Sequence, residues 1–174
     1  MALQLLFKVI VFDVKNLDDN YKMIEKIGKI TNTEAAANDI IHQTKFDFSN
    51  LQKRTELIPT LYLIWRKPYM SIGKDTFIHS MLETTGLKNM FSHQTRYPII
   101  TNLQTSYFAN CKLVLLSSEP YPFTEKHIHE LQQQLPHAKI VLADGEYFSW
   151  YGSKMINAPL YFKQLLDSVN EQSR

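Results

Sequence analysis

The sequence predicts an α/β domain built on a mainly parallel sheet, and three observations lead to this fold class. Short, continuous apolar segments rich in β-branched residues recur along the chain, which is typical of strands buried on both faces. Amphipathic helical patterns alternate with these segments, and parallel strands need such crossover connections. A length of 174 residues with 44% hydrophobic residues suffices for one packed domain of this kind.

The first part of the chain is predicted to contain one strand and two helices. Residues 7–14 form a short β-branched segment that indicates a buried strand. Apolar residues at every third or fourth position predict a helix over 17–30. Thr33 is expected to cap a second, long helix over 34–54.

The rest of the sequence alternates between predicted strands and helices. Strands are predicted at 60–65, 112–117 and 139–143, and helices at 76–85, 124–135 and 158–169. Asp75 and Thr124 are expected to cap the first two of these helices, and Gly86 and Pro136 to end them. A weaker short helix is expected at 103–109.

Composition and charge exclude several classes of function. Nineteen Lys and Arg residues stand against seventeen Asp and Glu, and a net charge of +2 does not indicate a nucleic-acid partner. The single cysteine, Cys111, cannot form an internal disulfide or a cysteine-based zinc site. No apolar run reaches the roughly 18 residues that span a bilayer, and the apolar start lacks the basic region and cleavage site of a signal peptide. These residues alone predict a soluble protein without an export signal.

Aromatic and charged residues follow three of the predicted strands. Trp65 and Tyr69 follow the first, Glu119 follows the second, and Glu146 and Trp150 follow the third. Because the carboxyl ends of parallel strands meet at one edge of a sheet, we expect these side chains to lie close together. Aromatic residues with a few charges suit a bulky, partly planar ligand. The sequence therefore predicts a binding surface, and packing is the alternative for any single aromatic residue.

No pattern in the sequence names a reaction. The serines near the strand ends lie outside any Gly-x-Ser-x-Gly turn, and residues 72–76 lack the first glycine and the Lys-Ser/Thr pair of a phosphate loop. The six histidines are scattered, so no metal site and no catalytic residue are assigned. One alternative stays open, namely a small α/β enzyme with Glu119 and Glu146 as acid and base.

Several motifs resemble those of a known family. They are Asp13–Leu17 before two helices, Trp65–Met70, Arg96–Pro98, Leu116–Phe123 and Asp144–Gly152. Together they resemble the periplasmic solute-binding proteins of ABC importers that bind cobalamin, iron siderophores or haem, the helical-backbone metal receptors of the chelatase-like superfamily. The resemblance covers nearly the whole chain.

The resemblance implies an architecture and a domain organisation. It implies a three-layer, Rossmann-like α/β lobe with a mainly parallel sheet, preceded by a long connecting helix. Residues 1–14 would be the remnant strand of an N-terminal lobe, 15–57 the connecting helices and 58–174 the C-terminal ligand-binding lobe. Most of an N-terminal lobe has no counterpart in the sequence, so the resemblance implies a truncated receptor.

The resemblance also implies a function and a binding site. The chain would bind cobalamin, haem or a ferric siderophore without catalysis, in the periplasm or cell envelope, or in the cytoplasm if Met1 is the true start. The ligand-binding residues would be Trp65, Tyr69, Tyr97, Glu119, Glu146 and Trp150. Arg66, Lys67 and Lys74 are candidates for contact with a carboxylate or phosphate on the ligand, with solvation as the alternative.

Two kinds of protein partner are considered. Members of the family dock onto an ABC permease through a surface glutamate, and residues 101–104 contain no acid at the corresponding stretch, which argues against docking there. An exposed strand at 7–14 would leave unpaired backbone groups and an apolar surface, which predicts a homo-oligomer or an interaction module.

Overall fold

Two helices precede the sheet in the computed structural model, which describes residues 8–51 and 55–171. These are α1 (Leu17–Thr31) and α2 (Glu34–Ser49). The strands that follow are β1 (Ile58–Leu63), β2 (Tyr69–Met70), β3 (Leu87–Asn89), β4 (Ile99–Ile100), β5 (Leu113–Ser117) and β6 (Lys139–Ala143). The later helices are α3 (Phe77–Thr84), α4 (Glu125–Gln134), α5 (Glu146–Ser149) and α6 (Ala158–Glu171). No helix in these two ranges is both long and apolar enough to cross a membrane.

The central sheet has four parallel strands in the order β3-β1-β5-β6, which confirms the predicted fold class. Alternate residues of its strands enter two separate core layers, one on each face. Tyr62, Leu113 and Leu115 pack with α1, α3, α5 and α6 in one layer. Leu61, Leu63, Val114 and Leu116 pack with α4 in the other layer. The two central strands, β1 and β5, are covered on both faces, which explains why they are largely apolar.

Helices α1 and α2 form a hairpin, and both pack against the first core layer, α2 through Ala37 and through Phe48 against Phe162. A Cβ atom on Gly28 would lie 2.6 Å from the Cβ of Ala37, so the two helices approach closely only because residue 28 is glycine. The backbone N–H of Gly152 donates to Asn20 Oδ1 over 2.6 Å, and Asn20 is fully buried. Met23 and Ile24 join the core layer beside it. The hairpin is thereby tied to the α/β unit.

The predicted buried strand at the start of the chain is wrong for the residues that the structure describes. Residues 8–14 carry no strand, and residue 7 lies outside the described range. The side chains of Val9, Ile10 and Val11 are 41%, 41% and 77% exposed. A strand needs a neighbour for its backbone hydrogen bonds, and this segment pairs with neither edge of the sheet.

Several predicted helix ends shift in the structure. Helix α2 ends at Ser49, before the predicted limit, and residues 52–54 are outside the described range. Thr33 stands at its N-cap without a capping hydrogen bond, because its hydroxyl lies 2.7 Å from that of Thr31. Thr76, and not Asp75, caps α3 by accepting from the N–H of His79. The short helix predicted at 103–109 is a 3₁₀ turn over Ser106–Phe108.

The strand predicted at 60–65 is β1 at Ile58–Leu63, two residues earlier at each end, and the remaining predicted ends agree with the structure to within two residues. Strand β6 has the predicted bounds, and Thr124 stands at the N-cap of α4 with its N–H donating to His127 Nδ1 over 2.9 Å. Gly86, which follows α3, has a φ of 75°, in the left-handed region that favours glycine.

Candidate ligand-binding site

Three neighbouring strands end at the same edge of the sheet. Strands β1, β5 and β6 are adjacent and parallel, so the segments that follow them share one edge. We call this edge the rim and define it as residues 65–70, 117–121 and 144–151. Five of the six predicted binding residues lie on these segments. The rim is therefore the place where sequence and topology together locate the candidate site.

Glu119 and Trp150 are joined directly across the rim. The Oε1 atom of Glu119 accepts a hydrogen bond from Trp150 Nε1 over 2.7 Å and another from Ser149 Oγ over 2.6 Å. The indole of Trp150 is 54% exposed, so its N–H is fixed while much of the ring remains open. A fixed, open indole offers apolar area without a large loss of side-chain entropy on binding.

Hydrogen bonds at the end of β5 hold the Glu119 segment in place. The buried hydroxyl of Tyr62 donates to Ser117 Oγ over 3.1 Å, and Ser117 Oγ donates to the carbonyl of Glu119 over 2.6 Å. Burial raises the pKa of the Tyr62 phenol, so this group stays protonated. A Cβ on Gly145 would lie 2.7 Å from Glu119 Cγ, so glycine is needed where the two loops meet.

Glu146 is engaged separately from Glu119. Its Oε2 atom lies 2.5 Å from Lys154 Nζ, and that ammonium stands 4.4 Å from the centre of the Tyr147 ring. The hydrogen bond from Lys154 to Glu146 raises the pKa of the lysine. Among the described residues, each of the two carboxylates thus has its own partner. This arrangement does not favour their use as a coupled acid and base.

Trp65 and Tyr69 lie on opposite faces of a small antiparallel sheet. Met70 stands opposite both Trp65 and Ile99, and side chains of directly opposed residues share one face. Tyr69 stands opposite the buried Ile100 and packs against the second core layer. Trp65 is 40% exposed, with its ring edge against Tyr121 at 5.8 Å between centroids. The structure therefore brings Trp65 to an open surface and assigns Tyr69 a partly buried packing position.

Met70 and Ile99 were missed by sequence reasoning. Ile99 is 60% exposed although it belongs to a strand of this small sheet. The alternation of Ile99 and Ile100 between surface and core would have been visible only if a strand had been predicted there. Two residues are too short a segment for a period-2 pattern to appear.

Tyr97 lies beside this small sheet, on a loop that continues the pairing of β2 with β4. The N–H of Ser71 donates to the carbonyl of Pro98, and the N–H of Gly73 to that of Arg96, each over 2.9 Å. Asp75 fixes the loop further, because its Oδ1 atom accepts from the N–H of Arg96 over 2.6 Å. Tyr97 is 52% exposed and lies two residues before Ile99.

Arg66 is committed to another residue. Its Nη2 atom lies 2.8 and 2.7 Å from the two carboxylate oxygens of Glu130, and its side chain is only 20% exposed.

Cys111 is fully buried, and burial raises the pKa of its thiol to about 11. Within the described ranges, no group of three or more His, Cys, Asp or Glu side chains could hold a metal ion.

A large groove lies away from the rim, between α2 and α6. Its volume is about 1010 Å³. The lining residues are Gln43, Asp47, Asn50, Leu51, Thr55, Glu56, Ile156, Asn157, Pro159, Leu160, Lys163, Leu166, Asp167 and Asn170. None of the six predicted binding residues lines it. The rim remains the better candidate, because it gathers exposed aromatic side chains, of which Trp150 is fixed by a hydrogen bond.

The fold is similar to that of periplasmic solute-binding proteins of known structure. A possible iron-binding, periplasmic solute-binding protein from Staphylococcus epidermidis aligns with a TM-score of 0.75 and 19% identity over 97% of this chain and 69% of that chain. The heme-binding protein HutB of Vibrio cholerae aligns with a TM-score of 0.74 and 17% identity over 90% and 66%. The vitamin B12 binding protein BtuF of Vibrio cholerae aligns with a TM-score of 0.68 and 12% identity over 98% and 69%.

These similarities show the fold of the chain and confirm, at that level, the resemblance of its motifs. Nearly all of the chain aligns with about two thirds of the length of each of these proteins. No protein-family model matches the sequence, and no curated protein matches it either.

Proposed function

We propose that this chain is the ligand-binding part of a substrate-binding protein of an ABC importer, and that its rim binds a metal chelate without catalysis. The candidate ligands are cobalamin, haem and ferric siderophores. Residues 15–57 serve as the connecting helices and 58–174 as the ligand-binding lobe. The periplasm or cell envelope is the proposed location, and an ABC permease is the proposed partner.

The observation that carries the proposal is the fixed, exposed Trp150 at the carboxyl edge of the sheet. Glu119 and Ser149 hold its position, and Trp65 presents a second open indole on the same rim. Open α/β sheets bind ligands at this edge. The proteins of similar fold include a heme-binding protein, a vitamin B12 binding protein and a possible iron-binding protein, which supports a metal-containing ligand here.

An enzymatic role receives no such support. It would need Glu119 or Glu146 to exchange a proton with a substrate, yet the first accepts two hydrogen bonds and the second is paired with Lys154. We therefore expect Glu119→Gln and Glu146→Gln to change ligand binding, and we expect neither substitution to abolish turnover of a substrate.

Equilibrium titration tests the proposal directly. Hemin, cyanocobalamin and a ferric hydroxamate are each added to the folded protein, and binding is measured by isothermal calorimetry. At least one of them should bind saturably, and Trp150→Ala should weaken that binding. Phe46→Ala is the matched control, because Phe46 is an exposed aromatic residue (64%) on α2 away from the rim. Folded protein that binds none of the three chelates would overturn the proposal.

A further inference from the structure

The rim and the adjoining strand β4 together carry an apolar surface that the sequence did not indicate. We call the side chains of Trp65, Met70 and Ile99 the ladder, because they are successive opposed positions on one face of the small sheet. Trp65 and Ile99 are 40% and 60% exposed, and Met70 between them is half-buried. Such a row of neighbouring apolar side chains offers a surface for an apolar, extended group.

Three cations lie on the chain segments that carry the ladder or adjoin it. Lys67 stands at the tip of the hairpin that joins Trp65 to Met70, and it is exposed. Lys74 is exposed on the segment whose N–H donates to the carbonyl of Gln94. Arg96 has a side chain that is 85% exposed, and it precedes Tyr97. Among the residues that the structure describes, neither Lys67 nor Lys74 has an ion-pair partner.

The acids of this region are already engaged. Asp75 accepts from the N–H of Arg96 and lies 3.9 Å from its guanidinium, and this backbone hydrogen bond holds the pKa of Asp75 below its usual value. Glu119 accepts from Ser149 and Trp150.

Three further ion pairs nearby each have a net charge of zero. They are Arg66 with Glu130, Lys154 with Glu146, and Lys15 with Asp13. By formal charge, the three cations Lys67, Lys74 and Arg96 thus stand against two acids, Asp75 and Glu119, and because the hydrogen-bond donors to Glu119 are neutral, a net charge of +1 remains.

We infer that the ligand is an anionic chelate, with an apolar, extended part against the ladder and an ionised carboxylate or similar acid near Lys67 and Lys74. The inference rests on the proposed function and narrows its ligand class. A neutral chelate would leave the lysines without a counter-charge and gain contact with the ladder alone. Charge complementarity of this kind selects between ligands of similar apolar area.

A matched pair of ligands tests the inference. Zinc protoporphyrin is a planar chelate with free carboxylates, and its dimethyl ester has the same ring without the charge. Both are titrated in the same mild detergent at low salt, with cyanocobalamin as a second neutral chelate. Two exposed ion pairs should make the free acid bind between about 2-fold and 30-fold more tightly than the ester. The difference should shrink as salt is added, because exposed charges are screened.

Variants identify the cations that are responsible. The double variant Lys67→Gln with Lys74→Gln should reduce the preference for the free acid to nearly 1-fold. The double variant Lys88→Gln with Lys112→Gln removes two exposed lysines outside the rim and should leave the preference unchanged. The inference would be overturned if the free acid and the ester bound equally well, if cyanocobalamin bound more tightly than the free acid, or if the first double variant kept the preference for the free acid. Each of these results would leave the proposed function standing. Absence of binding by every chelate would overturn both.

Discussion

Replacing Glu119 with alanine should release Trp150 from its fixed position. The substitution removes the Oε1 atom that accepts from Trp150 Nε1 and Ser149 Oγ. A hydrogen bond to a charged acceptor contributes about 1.5–3 kcal/mol. Ser149 keeps a second acceptor, the carbonyl of Gly145 at 2.9 Å, and the exposed indole N–H can turn to water. The expected loss in free energy of unfolding is therefore smaller than the sum, about 1–2 kcal/mol.

Ligand binding should also weaken in Glu119→Ala, because the indole of Trp150 is no longer held in one orientation. If the fixed indole contributes the same 1–2 kcal/mol to binding, the Kd of the bound chelate rises about 5-fold to 30-fold in Glu119→Ala. Urea unfolding followed by circular dichroism measures the stability, and acrylamide quenching measures how freely the indoles move.

Two control variants show whether the effect of Glu119→Ala comes from losing the hydrogen-bond acceptor, from losing the charge, or from removing any surface glutamate. Glu119→Gln keeps a carbonyl oxygen as acceptor and should lose less stability and affinity than Glu119→Ala. Glu56→Ala removes an exposed glutamate outside the rim and should change neither. If Glu119→Ala had the same stability, indole mobility and affinity as the wild type, the reasoning that this carboxylate positions Trp150 would be refuted.

Three further predictions concern pH, loop packing and association. Burial, and then the charges of Arg66 and Lys126, lower the pKa of His127 below 6.5, so the folded protein favours the neutral ring. The contribution of the neutral His127 to stability is therefore present above about pH 6.5 and is lost as the pH falls through the folded-state pKa. Urea unfolding at pH 7 and pH 5 should show a smaller loss in His127→Gln than in the wild type, and equal losses would contradict this account. Gly145→Ala should lower the free energy of unfolding by about 1–3 kcal/mol, because the new Cβ meets Glu119; an unchanged melting temperature would show that the loops separate freely. The exposed segment with Val9 and Val11 should make the chain self-associate, so sedimentation should detect a dimer or larger species that Val9→Lys with Val11→Lys dissociates; a wild-type monomer at all concentrations would remove this idea.

The sheet could be predicted because its strands carry their own signal. Strand β5 is buried at every position and four of its five residues are apolar, so it can be recognised without knowledge of its partners; β6 is also mostly apolar, although it is less buried. The segment over 7–14 has the same composition, and its prediction as a buried strand failed for that reason. Composition reports the preference of a segment, whereas a strand also requires a neighbour that lies within reach.

The candidate site could be predicted only in part. Topology places Glu119 and Trp150 at one edge, and their hydrogen bond agrees with that expectation. The positions of Tyr69 and Ile99 could not be derived, because they depend on the register of two strands of two residues each. The pairing of Glu146 with Lys154 joins the start of α5 to a residue beyond that helix, and the sequence offers many other partners for either charge.

The most direct test of the central claim, that the rim is the ligand surface, uses the two indole N–H signals of the protein in NMR. Trp65 and Trp150 are the only tryptophans in the sequence, and Trp65→Phe and Trp150→Phe assign their signals. A diamagnetic chelate, zinc protoporphyrin or cyanocobalamin, is added until binding is saturated. The account predicts that both indole signals shift along with those of the backbone around Glu119. Saturable binding that leaves both indole signals unmoved would contradict it.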